Sequence, residues 1–135
     1  IRDLNTKGIE INAAYNIKTG NLAQSITTGY TFIEDDLKAV PSKFSRYSIN
    51  SLKHHFIVGL HGQATKNLFL NGIYKYAERT TGESYTVVDA SINYTIQTFE
   101  ISVTANNIFN TEYTETNLVP MPKGNFLFGL KYNFK

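Results

Sequence analysis

From Gly124 to Phe134 the chain reads Gly-Asn-Phe-Leu-Phe-Gly-Leu-Lys-Tyr-Asn-Phe, with an apolar residue at every second position. Successive side chains of an extended strand point to opposite faces. Phe126, Phe128, Leu130, Tyr132 and Phe134 therefore share one face, and Asn125, Leu127, Gly129, Lys131 and Asn133 share the other. The run is long enough to cross a bilayer as a tilted strand, which takes about 9–11 residues. The rest of the chain repeats this period, which constrains the fold to the all-β class and points to a barrel in a membrane.

Period 2 predicts about seven strands, near 8–17, 22–33, 53–64, 68–77, 85–96, 99–109 and 124–134. Lys18-Thr-Gly-Asn21, Thr65-Lys-Asn67 and Gln97-Thr98 have the Gly and polar residues of tight turns. The other three connections are longer: Glu34 to Leu52, Glu78 to Ser84 and Asn110 to Lys123. Short turns at one end and long loops at the other is the layout of an outer-membrane barrel.

The parity of the side chains agrees. One face collects Ile9, Ile11, Tyr15, Phe56, Val58, Leu60, Leu70, Tyr74, Val88, Ile92, Tyr94, Ile101 and Val103. Glu10, Lys75, Asp89, Glu100 and Lys131 all fall on the other. Chance would put five charges on one face about one time in sixteen. A Lys facing lipid at mid-depth costs about 2–4 kcal/mol. The second strand fits least well, because Gln24 and Thr28 fall among its apolar residues.

A soluble barrel also alternates, with its apolar face inward, but aromatic placement separates the two. With the short turns at the bottom, Tyr15, Tyr94, Phe99, Tyr132 and Phe134 lie low on the apolar face. Tyr30, Phe32, Phe56, Tyr74, Tyr76 and Phe126 lie high. Aliphatic residues fill the middle, Phe128 excepted. Two aromatic belts around an aliphatic band are expected at two membrane–water interfaces. Seven strands alone leave two bare edges, which lipid does not tolerate. The chain is therefore expected to be part of a larger antiparallel up-and-down transmembrane barrel. It opens at Ile1 rather than Met, as a mature piece or fragment would, with further strands expected before it.

Composition excludes several classes. There is no Cys, so no disulfide framework and no Cys-based metal or redox site. A formal net charge of +2 is too small to suggest a nucleic-acid partner. No apolar run approaches the roughly 18 residues of a transmembrane helix. No Gly-x-Ser-x-Gly elbow or phosphate-cradling loop appears, so no enzymatic activity, catalytic residue or cofactor is expected.

Three segments then stand out: Tyr85-Thr-Val-Val-Asp-Ala-Ser-Ile-Asn-Tyr94, Asn106-Asn-Ile-Phe-Asn-Thr-Glu-Tyr113 and Val119-Pro-Met-Pro-Lys-Gly-Asn-Phe126. In this order they resemble the C-terminal barrel strands of TonB-dependent outer-membrane receptors. The family's usual Pro-Gly-Arg before the last strand reads Pro122-Lys-Gly-Asn125 here, and Lys135 follows the aromatic on which members commonly end. The resemblance implies a 22-stranded barrel with a plugged lumen in the bacterial outer membrane. Residues 1–135 would be its C-terminal portion, without the plug domain or upstream strands. It also implies energy-coupled uptake of a scarce nutrient: a ferric siderophore, cobalamin or haem. The implied partners are outer-membrane lipid, the receptor's own plug and remaining strands, the nutrient, and the inner-membrane TonB complex, reached through the missing N-terminal region. A passive porin, a structural outer-membrane barrel and a soluble β-barrel binding module are the alternatives.

Lys75, Asp89, Glu100 and Lys131 are expected on the lumen wall facing the plug, with Lys75 as a cation Asp89 could contact. A charged loop runs through Glu34-Asp-Asp36, Lys38, Lys43 and Arg46. Arg46 and Tyr47 in it are the expected ligand contacts. His55 and His61 share a face but lie about 20 Å apart along the strand, and His54 faces the other way, so no joint metal site is expected.

Overall fold

The computed structural model describes residues 5–36, 52–115 and 119–134. They form one antiparallel sheet of seven strands, and there is no helix among them. The strands are β1 (Asn5–Thr19), β2 (Leu22–Asp36), β3 (Leu52–Thr65), β4 (Leu68–Arg79), β5 (Ser84–Ile96), β6 (Phe99–Asn106) and β7 (Asn125–Tyr132). Their order across the sheet is their order in the chain. β1 and β7 are the two edges and do not pair, so the sheet is not closed. Of the sequence-based expectations, all-β class and seven antiparallel strands hold.

The short turns form where the backbone can turn tightly. Gly20 at φ 63° carries the β1–β2 turn, and Gln97 at φ 54° carries β5–β6. Glycine adopts a positive φ without a Cβ clash. The sixth strand ends sooner than its alternation predicts. It stops at Asn106, because Asn107 and Asn110 take φ values of 47° and 54° and turn the chain. Asn tolerates this left-handed region better than most residues.

The registers sort the side chains into two faces. Tyr15, Ile26, Leu60, Gly72, Ala90, Ala105 and Phe126 form one continuous row across all seven strands. Tyr30, Phe56 and Tyr76 form another, and Tyr94, Ile101 and Leu130 a third. These rows make an apolar face over which no other described element packs. Ile9 is 61% exposed, Leu130 72% and Phe128 81%.

The strand ends are staggered along these rows. The β1–β2 ladder continues ten residues above Tyr15, to Asn5. The β6–β7 ladder ends one residue above the same row, at Asn106 and Asn125. Such a progressive offset is what strands inclined to a common axis produce.

The packed interior is small and lies on the polar face. Ala77, Val87, Arg79 and Asn107 have almost no solvent exposure. The β6–β7 connection is anchored beside this patch, at Asp89, Arg79 and Tyr85.

Candidate functional site

The polar face begins as a ladder of short hydrogen-bonding side chains. His61 Nδ1 and Asn71 Oδ1 are 3.0 Å apart, and Asn71 Nδ2 donates to Ser91 Oγ at 3.1 Å. This links β3, β4 and β5 across the face. On β1, Asn12 Nδ2 donates to Glu10 Oε1 at 2.8 Å. Polar side chains that satisfy one another in this way need no apolar cover.

Lys75, Asp89, Glu100 and Lys131 lie on this face, as their parity predicts. Glu100 and Lys131 are directly opposed on β6 and β7, with Nζ and Oε2 3.7 Å apart. Both are substantially exposed, so the pair contributes at most about 1 kcal/mol. Lys75 and Asp89 sit diagonally, since Lys75 pairs with Val87 and Asp89 with Ile73. No ion pair joins them among the described residues.

Asp89 has a different partner. Its Oδ1 accepts the backbone N–H of Asn107 at 2.7 Å. One residue on, Ile108 N donates to Val88 O at 2.9 Å. The β6–β7 connection is thus fastened at its root to β5. Asn107 then ties the connection to itself. Its Oδ1 accepts from Thr111 N, and its Nδ2 donates to Thr111 O and Pro122 O. Asn110 Oδ1 accepts from Gly124 N at 2.9 Å. The Asn-Asn-Ile-Phe-Asn segment is therefore a turn closed by its own side chains.

Further along, the connection folds back against β4 and β5. Arg79, buried at the end of β4, donates through Nη2 to Thr114 O at 2.5 Å and Glu115 O at 3.1 Å. Tyr113 stacks on Tyr85, with ring centroids 4.6 Å apart. Lys123 and Glu112 form an exposed ion pair at 2.5 Å. Hydrogen bonding and charge from Lys123 hold the Glu112 carboxyl below its ordinary value. Burial, followed by the Glu115 carboxylate, pushes the Tyr113 phenol above its own.

Between this folded connection and the β4–β5 turn lies a cleft of about 430 Å³, lined by Arg79, Glu83, Ser84, Tyr85, Glu112 and Tyr113 among others. Its size falls within the range of small-molecule sites, about 300–1,000 Å³.

No protein-family model, curated protein or solved structure matches the chain.

Arg46 and Tyr47 lie outside the described residues. The histidines are arranged as their spacing predicts. His54 is on the apolar face, where its Nδ1 is 2.8 Å from Tyr30 Oη and its ring is 5.1 Å from that of Phe32. His61 is on the polar face, bonded to Asn71. Among the described residues, no cluster of His, Asp and Glu could hold a metal ion. Sequence reasoning missed Arg79, Tyr85 and Tyr113. Arg79 sits beyond the predicted end of its strand, and its carbonyl partners lie 35 and 36 residues away. Only the burial of a charged residue in the folded chain marks it out.

Proposed function

We propose that this chain is the C-terminal wall of the β-barrel of a TonB-dependent outer-membrane receptor, which takes up a scarce nutrient of the siderophore, cobalamin or haem class. The observation that supports the membrane wall in this reading is the uncovered apolar face, while the receptor family and nutrient class rest on the sequence resemblance. Each large side chain left in water forgoes about 1.5–3 kcal/mol of burial. A face running from Ile9 on β1 to Leu130 on β7 is far larger than the apolar patches that soluble monomers expose. Hydrocarbon is a solvent in which that face is stable.

The stagger supplies a second argument. Tyr15 belongs to the lower aromatic belt and Phe126 to the upper, yet they share one row. Strands about 4.8 Å apart and inclined at about 35–45° would carry that row through roughly 18 Å of depth from β1 to β7. The inclination of a closed barrel thus reconciles one row with two belts. The bare edges β1 and β7 support the same reading, since a spanning sheet must be sealed by further strands.

On this reading the outward face meets lipid, the polar wall faces the plug and the transit path, and the long connections meet the nutrient. A passive porin would share the wall but lack an upstream plug domain, so the full-length gene separates the two. Fractionation tests the membrane reading. The full-length protein should stay in the outer-membrane pellet after a carbonate wash and be released only by detergent. Recovery as a folded, detergent-free soluble species would overturn the reading in favour of a soluble barrel.

A further inference from the structure

We propose that Asp89 and Arg79 are positioning residues that hold the β6–β7 connection as a fixed shelf on the upper part of the polar wall. The cleft beside Tyr85 and Tyr113 then exists before any ligand arrives. This deepens the lumen-wall reading above and rests on it for the direction in which the shelf projects.

The argument begins with where the connection is held. Asp89 fixes its root through the Asn107 amide. Arg79 and Tyr85 fix its far part through the carbonyls of Thr114 and Glu115 and the Tyr113 ring. Asp89 and Tyr85 are four residues apart on β5, about 13 Å along the strand. A segment held at one point can pivot. Held at two points this far apart, it cannot swing without breaking both.

Burial points the same way. Arg79 and Asn107 are each only 3% exposed. Lifting the connection would strip the buried Arg79 guanidinium of two carbonyl acceptors. The side-chain amide of Asn107 is spent inside the connection, on Thr111 and Pro122. Segments that open easily have few buried contacts and exposed hydrogen bonds, whereas the bonds that anchor this one at Asp89, Arg79 and Asn107 are all partly buried.

The shelf ends in the short pairing of Thr114 with Pro120, where Met121 N donates to Tyr113 O at 2.9 Å. That pairing keeps Tyr113 against Tyr85 and sets the width of the cleft. Glu83, Ser84 and Glu112 line the remainder. The connection is thereby a built wall of the vestibule rather than a moving cover.

The test uses the full-length protein, with any cysteine outside this chain replaced by serine. Nitroxide labels go on Val119→Cys in the connection and Asn21→Cys in the β1–β2 turn, and their separation is measured by pulsed dipolar EPR. A single narrow distance distribution is expected without ligand. Asp89→Asn, which keeps the Oδ1 acceptor, should leave it narrow. Asp89→Ala and Arg79→Gln should each broaden it about twofold. A broad distribution in the otherwise unsubstituted protein, or one untouched by Asp89→Ala combined with Arg79→Gln, would overturn the proposal. If those variants fail to assemble, amide exchange in the unsubstituted protein decides. Asn107, Thr111 and Gly124 should exchange at least about tenfold slower than Asn21, and equal rates would overturn it. Neither readout depends on which solvent the two faces meet, so failure here is distinct from failure of the fractionation test.

Discussion

The Asp89 carboxylate accepts the backbone N–H of Asn107 across 2.7 Å, and Asn107 in turn binds both the amide and the carbonyl of Thr111. A side chain on the wall thus fastens a residue that organises the turn above it. Asn107→Ala removes three side-chain hydrogen bonds from a buried position and leaves an Ala at positive φ. The expected cost is about 2–4 kcal/mol, at about 1 kcal/mol per bond plus groups left unpaired. Amide exchange of Thr111 in the full-length protein checks it. Unchanged protection would show that the turn does not depend on this side chain.

Gly124 closes the same turn. A Cβ placed there would lie 2.7 Å from the Asn107 carbonyl oxygen, which is backbone and cannot rotate away. Gly124→Ala should destabilise the connection by about 1–3 kcal/mol. Limited proteolysis should then cut between Asn107 and Gly124 in the variant before it cuts there in the parent. Identical cleavage patterns would count against the geometry.

Two lysine substitutions test which way the faces point. Leu60 lies on the apolar face, and Asn93 lies on the polar face between Phe69 and Ser102. On the proposed membrane reading, Leu60→Lys should lower the yield of assembled barrel, by an amount consistent with about 2–4 kcal/mol for a lysine facing lipid. Asn93→Lys should assemble normally. Heat-dependent gel mobility of the outer-membrane fraction reads both, and equal assembly of the two variants would mean that the faces are wrongly oriented.

Glu100→Gln should change stability by less than about 1 kcal/mol, because the Glu100–Lys131 pair is exposed at 3.7 Å. A denaturant midpoint shifted well beyond that would place the pair in a much drier setting than the open wall described above.

The Glu112–Lys123 pair sets an acid limit on the connection. The folded carboxyl of Glu112 is held below its unfolded value by Lys123. Its contribution is therefore present above the unfolded carboxylate pKa and is lost as pH falls through the depressed folded value. Tyr113 is pushed upward by burial and stays neutral at neutral pH. The spin-label distances should hold constant from near neutral pH down to the ordinary carboxylate range, with any loosening confined to lower pH. Broadening near pH 6–7, where histidines titrate, would implicate a different group.

The strands and faces were legible in the sequence because both follow from one period. Within each strand, alternate residues report alternate faces. Where the reading overshot, at the end of β6, Ile108 and Phe109 extend the apolar character past the turn that Asn107 makes. The polar side of β5 was legible at Asp89 but not at Val87, a fully buried valine on the hydrophilic wall. Val87 lies between Tyr85 and Asp89, two β5 residues that hold the β6–β7 connection, and no local pattern announces that. The anchoring by Arg79 was hidden for the same reason, since a side chain bound to distant backbone carbonyls leaves no trace in local spacing.

With seven antiparallel strands in sequential order, β1 and β7 run in the same direction. An antiparallel seam therefore cannot be made by joining one margin to the other, however the sheet curls. Were the sheet completed to a cylinder by antiparallel pairing, as proposed above, the added strands would have to be odd in number.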